Sequence, residues 1–319
     1  MKSRALLIAL TASLFPPLNP AIATEPKVAV AYDVGFLGDN SFNDAVHLAL
    51  KAAKKQYGLV EPFVREVPTN GSAIDRLTRL RFLAKSGYTL IIAVGPGYRE
   101  TVRRVSMEYT DTQFALINDK ELGQLNISNV FFREDQGAYL AGVIAALQSK
   151  RKSVAFIGSE SDLLDSFRSG VAVVSKKVRV IDISYPDEIS DVKARLKAVD
   201  IAYSTWDGDA SILSLILENY RGKIRVIVET PDQYFATLPS FAPITLASIN
   251  KSLTKPVNQL VKSALAGEAI IDVLDENAGI YGREFNIKNG GITLVFNKKT
   301  DTSTLNRLKV EIAKLITAP

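Results

Sequence analysis

Three side chains near the start of the chain need partners that local structure does not supply. In residues 27–50, KVAVAYDVGFLGDNSFNDAVHLAL, a buried strand runs into a short acidic, glycine-bearing loop and then an amphipathic helix. Asn40 or Ser41 can cap that helix, and Ser41 with Asp44 has the spacing of a capping box. Asp33 at the strand end, and Phe42 and Asn43 in the first helical turn, have no such explanation. An acid at a strand end and an aromatic in the first helical turn need a partner, which makes these three residues candidates for ligand contact. The loop would stand at the carboxyl end of a strand, where open parallel sheets bind ligands.

Other reactive residue types are sparse. Trp206 is the only tryptophan; it falls at a strand end beside Asp207, where it either packs or walls a pocket. His47, the only histidine, lies one turn past Asn43. With no cysteine and no second histidine it makes no convincing metal site, and it reads as a surface or lobe-packing position. Gly95-Pro96-Gly97 follows a strand and precedes a helix, but a third glycine is missing and Arg99-Glu100 occupies its region. The segment therefore reads as a tight turn and not as a dinucleotide fingerprint. Nucleophile elbow, Walker loop and zinc spacing are all absent from the sequence. The expectation is a protein that is not an enzyme, with no catalytic residue, cofactor or metal.

The elements that must position these residues alternate. Apolar runs at 27–32, 63–67, 90–94, 114–117, 154–157, 178–183, 201–203 and 225–228 read as buried strands. Helical periodicity fills 42–57, 73–85, 98–109, 136–150, 163–175, 190–198 and 211–220, with later helices at 253–266 and 304–316. Such alternation predicts parallel sheets with helices on both faces. Each half reads as a small doubly wound domain, with a crossing near 130–135 and no Pro/Gly/Ser-rich linker.

Composition is that of a globular protein, with 47% hydrophobic and 23% charged residues. Lys2 and Arg4, the apolar residues 5–15 and Ala21-Ile22-Ala23 form a secretory signal, cut after Ala23. The remaining chain of about 295 residues suggests about two domains. Its formal charge falls from +5 to +3 on loss of Lys2 and Arg4, too little for nucleic-acid or polybasic membrane binding. The absence of cysteine removes disulfides and a lipid-modified cysteine. The protein is expected to be exported, periplasmic or extracellular, and not lipid-anchored through its own chain.

The motif DVGFLGDNSFND resembles the opening of the basic membrane protein family, the nucleoside-binding lipoproteins of bacterial ABC importers. There an acid-x-Gly loop runs into a Ser-Phe-Asn helix start. Agreement continues in GYTLIIAVGPGYRETV, TDTQFALIND, NVFFREDQGAYLAGVIAAL and VAFIGSESDLLDSFRSGV, covering roughly residues 27–171. The resemblance implies two Rossmann-like α/β lobes joined by a hinge, like type 1 periplasmic binding proteins, clasping a purine nucleoside. The first lobe would comprise residues 26–132 plus about 250–275, and the second 133–249 plus about 276–319. By resemblance Phe42 stacks on one face of the base and Tyr203, in IAYSTWDG, on the other. Asp33, Asn43 and Asp119 serve the purine edge, and Lys251, in SINKSL, reaches the ribose.

The second half departs from the family pattern. Where relatives carry a glycine-rich loop, this chain has Trp206-Asp207-Gly208-Asp209, keeping only Gly208. Where they read Gly-Val-Asp, it has Val228-Glu229-Thr230, so Thr230 stands at the ribose-binding acid, with Asp232 and Gln233 in register. Asp207 or Glu229 could take over that role. The implied function is an extracytoplasmic solute-binding protein that delivers a purine nucleoside or related heterocycle to an ABC permease, acting as a monomer. A ligand-binding sensory or regulatory protein is the alternative, and an exported nucleoside hydrolase or phosphorylase a third.

Overall fold

A computed structural model describes residues 26–34, 36–39, 41–185, 187–206, 210–297 and 300–317. The expected signal segment, Asp207 and Gly208 lie outside the described residues. The chain opens with β1 (Val28–Tyr32), in which all five residues are buried, as in a strand covered on both faces. There follow α1 (Phe42–Tyr57), β2 (Val64–Val67), α2 (Ala73–Lys85), β3 (Leu90–Val94), α3 (Arg99–Glu108), β4 (Gln113–Ile117) and β5 (Ile127–Phe132). The second series is α4 (Glu134–Gln148), β6 (Ser153–Ile157), α5 (Ser161–Val174), β7 (Arg179–Ile183), α6 (Ile189–Leu196), β8 (Ile201–Ser204), α7 (Ser211–Tyr220), β9 (Arg225–Thr230) and β10 (Thr245–Lys251). The chain then returns through α8 (Thr254–Leu265), β11 (Asp272–Asp275), β12 (Ile280–Phe285), β13 (Ile292–Phe296) and α9 (Thr302–Thr317).

Two sheets result, each the floor of one lobe. The first runs β11-β12-β5-β4-β3-β1-β2 and the second β13-β10-β9-β8-β6-β7. Pairing is parallel except at β11–β12 and β10–β13. The backbone passes between lobes after Phe132, after Lys251 and between Phe285 and Ile292. That last passage falls later than the expected boundary near 276, because β12 hydrogen-bonds to β5 of the first sheet. The passage after Phe132 falls within the crossing expected near 130–135, and residues 127–132, not read as a strand, make β5 just before it.

The returning helices fasten the lobes. Helix α8 packs on α1, where the Tyr57 hydroxyl donates to Asn258 Oδ1 at 3.0 Å. Helix α9 lies on α4, where the Tyr139 hydroxyl donates to buried Glu311 at 2.8 Å. Helices α4 and α5 approach closely because Gly142 and Gly170 face one another's backbones. A Cβ at Gly142 would lie 2.9 Å from the Val171 nitrogen, and one at Gly170 would overlap the Tyr139 carbonyl.

The start of α1 differs from the capping-box expectation. Ser41 makes no side-chain cap bond. Asp39 caps the helix instead, its carboxylate accepting from the Ser41, Asp44 and Asn43 amides at 2.9, 3.1 and 3.2 Å. A carboxylate wins over a hydroxyl because it accepts several amides at once and sits favourably at the positive end of the helix. His47 turns toward β2, with its Nδ1 2.6 Å from Glu66, which also accepts from the Tyr32 hydroxyl at 2.7 Å. None of the helices among the described residues is long and apolar enough to cross a membrane.

Candidate functional site

The carboxyl ends of both sheets converge on the hinge, and the candidate residues sit there in three groups. The first lies behind β1. Asp33 Oδ1 accepts from Arg76 Nε and from the Val34 amide, each at 2.9 Å, and both members of the ion pair are largely buried. Gly95, at φ 105°, passes beside Asp33: an added Cβ would lie 2.7 Å from the Asp33 Cβ. The turn read at 95–97 therefore makes room for the Asp33–Arg76 pair. Asn43, also buried, donates its carboxamide to the Val34 carbonyl at 3.3 Å and steadies the same loop.

The second group lies behind β4. Asp119 is 4% exposed; it accepts from Arg99 Nε at 2.5 Å and from the Glu121 amide at 2.9 Å. Arg99 also pairs with Glu121 at 2.9 Å. Both acids expected at a purine edge are thus already held by arginines of this chain. Neither arginine was singled out from sequence, although each carries a signal. Arg76 and Arg99 fall in the first turn of α2 and α3, where a cation opposes the helix dipole unless an acid compensates.

The third group surrounds Lys251 at the end of β10. Its ammonium lies 2.8 Å from Asp232 and 3.4 Å from Glu229, and also pairs with Glu134 at the start of α4. It stands 5.6 Å from the centre of the Phe42 ring, which comes from the first lobe. Carboxylate oxygens of Glu134, Glu229 and Asp232 lie within 4.8 Å of one another, a spacing that could hold a metal ion. The Lys251 ammonium supplies the cation that such a cage needs. Asn118 also donates to Glu134, at 3.1 Å, from a left-handed backbone position at φ 59°. Gln233 pins the end of β9, accepting from the Glu229 amide at 3.0 Å and donating to Ser204 at 2.9 Å.

Burial and mutual charge set the protonation of this cluster. Burial pushes the Glu229 carboxyl up to about 7, helped by the charges of Glu134 and Asp232 and opposed by Lys251. Burial also raises Asp232. For Lys251 burial disfavours the charged form, but the carboxylates of Asp232, Glu229 and Glu134 overcome it and hold the ammonium well above its usual range. Glu134 is lowered: burial works against its ionisation, and Lys251 outweighs that effect.

Phe42, Asp232 and Lys251 are therefore brought together, with Glu134 and Glu229 as members that had no assigned part or only an alternative one. Tyr203 is placed differently from expectation. Its ring is wholly buried in the second lobe, stacked on Phe167 at 5.5 Å between centres, and its hydroxyl donates to Glu229. It does not face Phe42 across an open cleft; it backs the cluster, because a buried carboxylate needs a donor and the Tyr203 hydroxyl provides one. Trp206 packs edge-on against Tyr185 at 5.0 Å. Thr230 donates to Asn250 at 3.2 Å.

Glu134 also lines an interlobe cleft of about 1100 Å³. Its walls come from the loop after β4, the first turns of α4 and α5, and β11–β12, with Phe131, Phe132 and Leu163 as apolar patches. Such a volume exceeds the ordinary range for a small-molecule site, as suits a cleft between two lobes.

The comparisons agree with this architecture. The family model for ABC transporter substrate-binding protein, PnrA-like, matches residues 26–209. A nucleoside-binding protein of an ABC transporter from Lactococcus lactis is 24% identical over 306 residues, covering 88% of this chain and 84% of the relative. The chain spans about half the length of curated relatives from Listeria and Borreliella. Among solved structures, a transcriptional activator of comK from Bacillus halodurans superposes with a TM-score of 0.72 at 17% identity, covering 92% of this chain and 98% of that one. An ABC transporter solute-binding protein from Aeropyrum pernix gives 0.66 at 20%, covering 92% and 91%. The fold is that of type 1 periplasmic binding proteins, and the chain belongs to the PnrA-like family of ABC transporter substrate-binding proteins.

Proposed function

We propose that this protein is an exported, monomeric solute-binding protein that captures a purine nucleoside or related heterocycle between its lobes and delivers it to the permease of an ABC importer. The observation that carries the reading is the meeting of Phe42, from one lobe, with Lys251 and Asp232, from the other, at the hinge. A half-buried ring offers a stacking face worth about 1–3 kcal/mol per base. A charged hydrogen bond from the lysine or to the carboxylate adds about 1.5–3 kcal/mol. Glu229 supports Lys251 where Thr230 has replaced the acid expected from the family resemblance. The sugar is thus engaged through the lysine and Asp232 and not through a carboxylate at position 230.

Calorimetry and thermal unfolding with adenosine, guanosine, inosine and the free bases test the reading. A ligand at 100 times its dissociation constant stabilises the fold by about 2.7 kcal/mol, which is readily seen, and Phe42→Ala removes most of that stabilisation. Equal affinity for nucleosides and free bases removes the sugar from the model. Absence of any shift with every nucleoside and base overturns the reading. The same clasp would serve a sensory or regulatory protein, and neighbouring permease and ATPase genes separate transport from that role.

A further inference from the structure

Lys251 has no donor to spare. An ammonium carries three N–H groups, and three carboxylates surround this one: Asp232 at 2.8 Å, Glu229 at 3.4 Å, and Glu134 in the closest contact. The ammonium stands among the three acids, so their facing oxygens serve it and not a metal ion. The lysine side chain is only 2% exposed. Donation to a solute oxygen therefore requires that one of the three carboxylates release it.

The three acids differ in how well they can let go. Glu134 makes the closest contact, and it is Lys251 that holds it ionised against its burial. Asp232 leans on Lys251 through Oδ1, while its buried Oδ2 has no partner. Release would leave that carboxylate, among the described residues, with no side-chain donor. Glu229 stands farthest from the ammonium and has a donor in reserve, since its Oε2 faces Lys251 while its Oε1 accepts from the Tyr203 hydroxyl. It can lose the lysine and keep a hydrogen bond.

What Glu229 cannot keep on release is its charge. The groups facing it are Tyr203 on β8, Lys251 on β10, Glu134 on α4 and Asp232 in the turn after β9, and Lys251 is the only cation among them. The neutral side chain of Gln233 holds the Glu229 amide. Burial already pushes the carboxyl up to about 7 while Lys251 opposes it, so turning the ammonium away favours the protonated form further. The proton also makes Glu229 a donor. Oxygens of Glu134 and Asp232 lie within 4.8 Å of one of its own.

We infer that Glu229 is a positioning residue for solute capture: it releases Lys251 to the solute by taking up a proton, so binding is coupled to protonation and weakens in alkaline solution. The inference rests on capture through Lys251, as proposed above, and adds what frees the lysine. Glu229 holds its proton more tightly in the complex than in the free protein. Affinity is therefore complete below about pH 7 and falls as pH rises through that value.

The test is calorimetry of the full exported protein with adenosine and with guanosine between about pH 6 and 8, a range over which neither nucleoside changes charge appreciably. Near pH 7.5 the titration is repeated in phosphate and in Tris, whose ionisation heats differ, so that the difference in observed heat counts protons. Wild type is expected to take up as much as about three quarters of a proton there, and to bind up to about tenfold more weakly at pH 8 than at pH 6. Glu229→Gln keeps the shape of the side chain but cannot titrate; its heats are expected to be the same in both buffers once corrected for dilution, and its affinity flat with pH. Wild-type binding with no buffer dependence, or an affinity that rises with pH, overturns the inference and leaves solute capture standing. Proton uptake that persists in Glu229→Gln overturns the assignment to Glu229. Binding of neither nucleoside overturns capture through Lys251 and this inference with it.

Discussion

At the end of β1, Asp33 meets one arginine; at the end of β10, Lys251 meets three carboxylates. The two arrangements are neighbours at the same hinge but differ in their charge balance. In the first lobe Arg76 answers Asp33 and Arg99 answers Asp119, so those acids are closed in pairs. In the second, acids exceed cations, one carboxyl is pushed up to about 7 by its burial, and one carboxylate oxygen has no donor. Balanced pairs hold a loop in place, whereas an excess of buried acid leaves capacity for a donor brought from outside. The first-lobe acids expected at a purine edge are thus paired within the chain in this structure, and the proposed recognition centres on the lysine cluster.

The largest expected effect comes from Lys251→Met, which leaves three clustered carboxylates without their cation. Losing one partner of a buried ion pair costs about 3–5 kcal/mol. Equilibrium denaturation at neutral pH should register that loss, and a loss below about 1 kcal/mol would erase the contrast between the lobes.

Glu229→Gln sharpens the comparison through pH. The folded protein holds the Glu229 proton up to about pH 7, while an ordinary carboxyl releases it near 4.5. Between those values the folded state binds more protons than the unfolded chain, so this group makes stability fall as pH rises. The substitution should remove that decline, by at most about 3 kcal/mol across the window. Wild type and variant with parallel stability curves from about pH 4.5 to 7 would place the buried proton elsewhere.

The smallest effect belongs to Arg76→Met. It unpairs Asp33 in a site less buried than the lysine cluster, and should cost about 1–3 kcal/mol by leaving a largely desolvated carboxylate. Nucleoside affinity, measured on the folded variant, should change less than for Lys251→Met. A greater loss of binding at Arg76 would return the first-lobe acids to the recognition site.

Local pattern accounts for what could be read without coordinates. The boundaries expected for α1, α2, β3 and α7 coincide with those observed, because helical periodicity and unbroken apolar runs such as LIIAV are properties of neighbouring residues. The late strands were not legible. β11 is mostly exposed and β13 buries only its first residue, so neither shows the buried run that marked the earlier strands. The missed site residues share one trait: their partners are distant in sequence. Arg76 lies 43 positions from Asp33, and Glu134 lies 117 from Lys251.

The sequence by itself determined the alternating elements, the two-lobed architecture and the loop bearing Asp33, Phe42 and Asn43, since each is written in short-range spacing of apolar, capping and turn residues. Only the tertiary structure decided which charges neutralise one another, that Tyr203 backs the site from the interior, and that Glu134 and Glu229 crowd Lys251. Those outcomes depend on where the chain crosses between lobes, and burial at the crossings strengthens the electrostatic interactions that local spacing cannot assign.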